Sequence, residues 1–279
     1  MAVVTPAGVL LHGNAALDRL LACPRGALVG RTLFEVTHPD DLEAARWHCQ
    51  EMQSGRSDLV QHECRFLRPD GTAMWVLVTT SRAPAVSDQP AHLVMHIQDI
   101  TERTALAAEL AHRALHDPLT GLPNRALLLD RVAHAVGRSR RTSRPTAVFF
   151  LDLDGFKAVN DDHGHACGDD VLRTFADRLR ALLRPGDTAA RLGGDEFVVV
   201  CEDTDDRAAD QVIERLRLAA GEPFTVQGQE VRLSTAVGGA VWSPHDGPEP
   251  DPQELLRRAD QSMYADKRRT RRRTVPAQG

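Results

Sequence analysis

Three acidic side chains from two separate segments are the residues best suited to chemistry in this chain: Asp152, Asp195 and Glu196. Asp152 follows the apolar run Ala147-Val148-Phe149-Phe150-Leu151, which reads as a buried strand. A carboxylate at a strand exit is where open α/β sheets usually hold ligands. Asp195 and Glu196 follow Gly193-Gly194, a corner free of Cβ atoms, and precede Phe197-Val198-Val199-Val200. That pattern predicts a hairpin with acid at its tip. If strand and hairpin are neighbours, the carboxylates crowd. Two like charges ~4 Å apart repel by about 4 kcal/mol at an effective dielectric near 20. Such a cluster asks for a cation, and an all-oxygen donor set suits Mg²⁺ facing phosphate. No GxxxxGK[ST] string occurs, so phosphate is not held by a P-loop.

The elements that must position these groups follow from hydrophobic period. A helix is predicted over 124–141, with Leu127, Leu128, Val132 and Val136 on one side, then a strand over 146–151. From Asp169, the residues Val171, Phe175, Leu179 and Leu182 recur at helical spacing. After the hairpin come a helix over 205–219 and a strand region over 230–242. Asp251-Pro252-Gln253-Glu254 then opens the last helix with an N-cap acid, a proline at N1 and a capping-box glutamate.

The first hundred residues read differently. Two short strands flank Pro6 and Gly8, and strand-like runs follow at 60–67, 73–83 and 92–100. The first two of these runs are joined by Arg68-Pro69-Asp70-Gly71, a tight turn. Trp75, Leu77 and Thr79 share one face of their strand, Val76 and Val78 the other. Antiparallel strands with helices fit a small α+β sensor. Between the halves, 101–116 has no Gly or Pro, is rich in helix formers, offers Thr101 as a cap, and aligns Leu106 with Leu110. A helical joint of this kind transmits a rotation or a shift.

The chain has 279 residues, a hydrophobic fraction of 42% and a formal net charge of -5. That length allows two domains, and the charge argues against a protein that coats nucleic acid. Five cysteines are odd in number, scattered and free of CxxC pairs, which points to neither disulfides nor zinc and fits a reducing cytoplasm. No apolar run approaches the roughly 18 residues of a membrane helix, and the first residues lack a basic signal-peptide region. The expected division is a sensor domain over 1–100, a helical linker over 101–116, a catalytic domain over 117–273 and a tail over 274–279.

Gly193-Gly194-Asp195-Glu196-Phe197 resembles the signature of the GGDEF domains, the diguanylate cyclases. Asp117-Pro118-Leu119-Thr120-Gly121-Leu122-Pro123-Asn124-Arg125 is similar to that family's opening motif. Asp152-Leu153-Asp154-Gly155-Phe156-Lys157-Ala158-Val159-Asn160-Asp161 is similar to its first strand and substrate loop, and His163-Gly164-His165 and Gly168-Asp169 continue in order. The resemblance covers roughly 115–272. The first domain resembles a PAS domain with its C-terminal motif. It does so through 18–21, Gly30-Arg31-Thr32, His38-Pro39-Asp40-Asp41, 64–71 and Asp99-Ile100-Thr101-Glu102-Arg103. The implied fold class is α+β: a PAS fold, a helical linker, and a GGDEF domain with a palm-like central sheet flanked by helices.

The resemblance implies a bacterial signalling enzyme that condenses two GTP into cyclic di-GMP. Carried over residue by residue, Asp152, the carbonyl of Leu153 and Asp195, with Glu196 adjacent, would bind Mg²⁺, or Mn²⁺ in its place. Asp195 and Glu196 would be the catalytic pair. Asn160 and Asp169 would read guanine, and His165 would contact substrate or cap its turn. Backbone around Gly155, Phe156 and Lys157, with Lys267 and Arg271, would hold phosphate; the alternative for the two basic residues is a solvated tail or a nucleic-acid patch. Arg184 and Asp187 match the family's RxxD inhibitory site for cyclic di-GMP, with Arg215 as an auxiliary contact. The two-fold product implies a homodimer. The family's frequent Gly-Arg-Asn ending is absent, and Gly155 stands where a bulkier residue is common. The PAS ligand is unknown: Cys64 lies in a strand, unlike a flavin-adduct cysteine, and His38, His62 and His96 form no haem pattern. Two other readings stand beside the cyclase, a catalytically silent nucleotide receptor and a PAS-driven interaction module.

Overall fold

The structure is a computed structural model that describes residues 1–54, 56–83, 91–226 and 228–274, with side chains through residue 269. It divides into two compact units, Met1–Leu110 and Ala111–Gly279.

In the first unit, β1 (Ala2–Val4), β2 (Leu10–Gly13), α1 (Ala15–Leu20), α2 (Leu42–Gln53), β3 (Leu59–Leu67), β4 (Ala73–Ala83) and β5 (His92–Asp99) precede the helix α3 (Thr101–Leu115). The five strands form one antiparallel sheet in the order β2-β1-β5-β4-β3. Alternation decides its faces: Val76 and Val78 are buried in the core with Cys64, Phe66, Leu93 and Met95, while Trp75 and Leu77 are half-buried on the other side. Thr101 was expected to cap α3 and does something else. Its Oγ1 accepts from the Trp75 N–H at 3.0 Å, tying the helix start to β4. The Thr101 N–H is taken by the Asp99 carboxylate at 2.8 Å.

The second unit contains α4 (Arg125–Thr142), β6 (Thr146–Asp154), α5 (Phe156–His163), α6 (His165–Leu182), β7 (Thr188–Gly193), β8 (Glu196–Cys201) and α7 (Asp206–Gly221). It continues with β9 (Phe224–Val226), β10 (Gln229–Val231), β11 (Ser234–Trp242) and α8 (Pro252–Thr274). Its main sheet has the order β11-β6-β8-β7, antiparallel at every pairing. The continuous apolar run of β6 therefore reflects helices on both faces of an antiparallel sheet, not parallel neighbours. Val148, Phe150, Val198 and Val200 pack with Leu128 and Val132 of α4 and Leu255, Ala259 and Met263 of α8. Phe149, Leu151, Phe197 and Val199 pack with Val171, Phe175 and Leu179 of α6 and Leu216 of α7.

Several boundaries differ from the pattern-based expectation, each for a local reason. The stretch after β6, expected as a loop, is the short helix α5, bracketed by Gly155 (φ 83°) and Gly164 (φ 84°), whose left-handed backbones let the chain enter and leave it. α6 starts at His165 instead of Asp169. The region 230–242 is two strands, β10 and β11. At α8 the capping box does not close: the Glu254 carboxylate forks onto Arg257 at 2.7 and 2.6 Å, and Asp251 alone receives the Gln253 N–H.

Candidate active site

β6 and β8 are adjacent, and their register places Asp152 opposite Glu196. The β7–β8 hairpin turns through Gly194 (φ 51°), a conformation that favours glycine, and so sets Asp195 at its tip. The Leu153 N–H donates to the Asp195 carbonyl at 3.3 Å, stitching the tip to the end of β6. The two acidic segments therefore converge at one sheet end.

The electrostatics bear the mark of that crowding. Burial, then the charge of Asp152, pushes the Asp195 carboxyl above its ordinary value. Glu196 is pushed up by burial, then by Asp152, Asp195 and Asp260. Glu196 also lines an open cleft with Arg125, Leu192 and Asp260. One cation sits directly on the cluster: Lys267 Nζ lies 2.5 Å from Asp152 Oδ1. Among the described residues no three His, Cys, Asp or Glu side chains form a closed metal cage. Mg²⁺ is usually bound by one or two carboxylates plus substrate phosphates and waters. Two carboxylates and a backbone carbonyl suit a hard cation whose shell a phosphate completes, and the ammonium on Asp152 shows that this carboxylate attracts positive charge.

The other expected site residues fall into two groups. Asn160 is half-buried near the end of α5, and its side chain lies against the first turn of α6. A Cβ on Gly168 would come within 2.0 Å of Asn160 Oδ1, so only glycine leaves room for the carboxamide. Asp169 follows directly and is half-buried, while His165 is exposed as the first residue of α6. Phe156 is a core residue, 8% exposed, so only its backbone faces the entry to α5; Lys157 is exposed. The side chain of Arg271 lies outside the described residues. The second group is separate: Arg184, Asp187 and Arg215 line one pocket of about 90 Å³. Asp187 accepts from the Arg184 N–H at 3.2 Å and the Glu202 N–H at 3.3 Å, and Arg215 donates to the Leu182 carbonyl at 2.7 Å.

Residue patterns did not reveal the support behind the hairpin. Arg191 donates to the Gly194 carbonyl at 3.0 and 2.8 Å and to Asp117 Oδ1 at 2.9 Å. Asp117 also accepts from the Thr120 N–H and hydroxyl. Burial works to raise the Asp117 carboxyl, but the Thr120 bonds and the Arg191 charge hold it below the ordinary range. Asp117 opens the first motif of the second half and Arg191 stands just ahead of the Gly193-Gly194 corner, yet nothing in the chain says that positions 74 residues apart are partners.

In the first unit, the three histidines weighed as haem ligands do not converge. His38 Nδ1 accepts from the Asp40 N–H, His96 is exposed, and His62 instead stacks on His48 with ring centroids 4.3 Å apart. His48 and His62 line a small cavity with Met52, Cys64 and Met95. The Cys64 thiol is 3% exposed and pushed up to about 12, chiefly by burial, as befits a core cysteine.

The family described as "Diguanylate cyclase, GGDEF domain" matches residues 114–273. The chain belongs to that family. A second family, described as "PAS fold", matches residues 1–105. A bifunctional diguanylate cyclase/cyclic di-GMP phosphodiesterase, MucR of Pseudomonas aeruginosa, is 47% identical over 156 residues, covering 56% of this chain and 22% of that protein. An uncharacterized signaling protein of Caulobacter vibrioides is 34% identical over 271 residues, covering 94% of this chain and 31% of its own length. Among solved structures, a sensory box/GGDEF family protein from Caulobacter crescentus CB15 aligns with a TM-score of 0.52 and 38% identity. That alignment covers 55% of this chain and 98% of that one. The chain spans about a quarter of the length of the first curated relatives it matches, 22% and 24% for the first two. Among the described residues, no helix is long and apolar enough to cross a membrane.

Proposed function

We propose that this chain condenses two molecules of GTP into cyclic di-GMP with release of two pyrophosphates. The observation that carries the reading is the meeting of Asp152, at the end of β6, with Asp195 and Glu196 at the β7–β8 corner, with Lys267 on Asp152. Each nucleotide's 3′-oxygen attacks the α-phosphorus of the other, loses its proton, and displaces pyrophosphate; two P–O bonds form and two break. A Mg²⁺ ion, or Mn²⁺, held by Asp152, the Leu153 carbonyl and Asp195 with Glu196 beside it, would supply positive charge for the attacking oxygen and the departing pyrophosphate.

The chain's own residues do the rest. Asp195 and Glu196, whose carboxyls burial and the charge of Asp152 hold above their ordinary values, are suited to accept the 3′-hydroxyl proton. Lys267 and the α5 entry amides around 154–157 hold the triphosphate, with Arg271 as a further cation. Asn160, packed against Gly168, and the next residue along, Asp169, read the guanine edge, with His165 as a further contact. A carboxylate accepts from the ring N–H and exocyclic amine of guanine, an edge adenine lacks, and such a site rejects the wrong base by roughly 10⁴-fold.

One site per chain and a two-fold product require two chains face to face, so the active species is a homodimer. The pocket of Arg184, Asp187 and Arg215 binds cyclic di-GMP as inhibitor, with guanidinium forks on phosphate or guanine. The PAS unit regulates the output through α3, and the protein works in the cytoplasm.

Incubation of the purified protein with GTP and Mg²⁺, followed by mass spectrometry, should show cyclic di-GMP and pyrophosphate. Absence of both from folded protein rejects the reading. Arg184→Ala should raise the final product yield and leave the initial rate unchanged.

A further inference from the structure

The contact between Lys267 and Asp152 is built by the packing of α8 on the sheet. A Cβ on Gly238 of β11 would stand 1.8 Å from the Met263 nitrogen and 2.5 Å from the Ala259 carbonyl oxygen, so α8 lies against β11 at a distance no side chain allows. Asp266 secures the next turn, accepting from the Val237 N–H at 3.3 Å and from Arg217 at 2.9 Å. Lys267 follows Asp266 and lies one turn beyond Met263, whose buried side chain faces the sheet. Its ammonium is thereby delivered to Asp152, where the two side chains are 23% and 14% exposed.

The neighbouring charges explain why an ammonium is needed there. Asp152 and Glu196 face each other across β6 and β8, and Asp195 stands at the adjoining hairpin tip, so three carboxylates share one sheet end. Arg191, the guanidinium that acts on Asp195, is committed to Asp117 and the Gly194 carbonyl. Lys267 is thus the cation in contact with the carboxylate that the divalent ion would use. The two cations repel across one carboxylate unless a polyanion lies between them.

We propose that Lys267 is a resident counter-cation that occupies Asp152 until a divalent ion and a nucleoside triphosphate arrive together. The ion then takes the carboxylate and the ammonium passes to the triphosphate. This rests on the metal and nucleotide reading given above and adds a consequence to it. In the resting protein Lys267 competes with the metal, and with nucleotide present it cooperates with it.

The test is Mn²⁺ binding to the full chain, followed by the electron paramagnetic resonance signal of the free ion, with and without a GTP analogue methylene-bridged between the α- and β-phosphates. Without nucleotide, Lys267→Met should bind Mn²⁺ roughly tenfold more tightly than the parent, the size expected for groups that share one network. Lys267→Arg, which keeps the charge, should stay close to the parent. With the analogue present the order should reverse, the parent binding Mn²⁺ more tightly than Lys267→Met. Equal or weaker nucleotide-free binding by Lys267→Met, with circular dichroism showing it folded, overturns the proposal. If Lys267→Met does not fold, Lys267→Gln and an acetimidate-modified parent, which retains its charge, give the same comparison. Asp195→Asn separates the two levels. If it leaves Mn²⁺ binding unaltered, the metal reading fails and this inference with it; if it weakens binding while Lys267→Met changes nothing, only the inference fails.

Discussion

One cluster of polar side chains in each unit shows two opposite ways of burying such groups. At the sheet end of the second unit Arg191 is shared between Asp117 and the Gly194 carbonyl, and Asp152 meets Lys267. In the first unit, the cavity between the sheet and α2 holds His48 and His62, whose Nδ1 atoms are buried without a hydrogen-bond partner. A buried polar atom left unpaired costs about 1–3 kcal/mol, whereas a paired one repays its desolvation. The Arg191 and Asp152 contacts therefore offset their own burial, while the imidazole pair in the first unit sits in the fold at a cost.

That contrast is open to measurement. The largest effect should come from Asp195→Asn, which removes a charge from the acidic tip while preserving shape. Initial cyclic di-GMP synthesis should fall by roughly 10²–10⁴-fold, the contribution of a positioned acid–base group, with an unchanged circular dichroism spectrum. A loss under tenfold would move the chemistry elsewhere. Next, Arg191→Ala leaves the Asp117 charge and the Gly194 carbonyl without their partner. It should destabilise the second unit by about 3–5 kcal/mol, as breaking a buried pair does, read as a lower urea midpoint at unchanged slope.

The pH response follows from the raised carboxyls. Because Asp195 and Glu196 sit above their unfolded values of 3.8 and 4.5, the folded protein holds their protons to higher pH than the unfolded chain does. Their destabilising contribution is absent below the unfolded values and is fully expressed once pH has risen past the folded ones. Mg²⁺ together with a GTP analogue should thus raise the melting temperature at pH 7.5 and do so less near pH 4.5. Equal shifts at both would contradict the assignment. The smallest change should come from His62→Phe, which removes an orphaned nitrogen and fills similar volume. It should leave stability unchanged or raise it by about 1 kcal/mol, and a clear loss would show that the imidazole has a partner in solution.

How much was legible in the chain divides along the same line. The carboxylates could be found because the acids of the hairpin are adjacent in sequence and because β-favouring runs announce the strands that bring Asp152 to them. The expected helices around 124–141 and 205–219 appear as α4 and α7, since long amphipathic periods with capping residues leave little choice; Asn124 and Asp205 do cap them. α5 was missed because its turns lie between two glycines, which read as punctuation. The Glu254 capping box failed because an arginine three residues on competes for the same carboxylate. The Asp117–Arg191 pair and the His48–His62 stack escaped because each joins segments whose proximity only the finished fold creates.

Asp117 has one further consequence. It follows the last turn of α3 by two positions, and Asn124 ties that turn down, donating from its N–H to the Leu115 carbonyl and from its amide to the Ala114 carbonyl. The same aspartate shares Arg191 with the corner that carries Asp195. A single guanidinium thus rivets the foot of the helix to the acidic tip, and the opening Asp-Pro-Leu-Thr motif is a mechanical collar as much as a fingerprint. The path from that foot to the hairpin runs through the hydrogen bonds of Arg191, one to Asp117 and two to the Gly194 carbonyl.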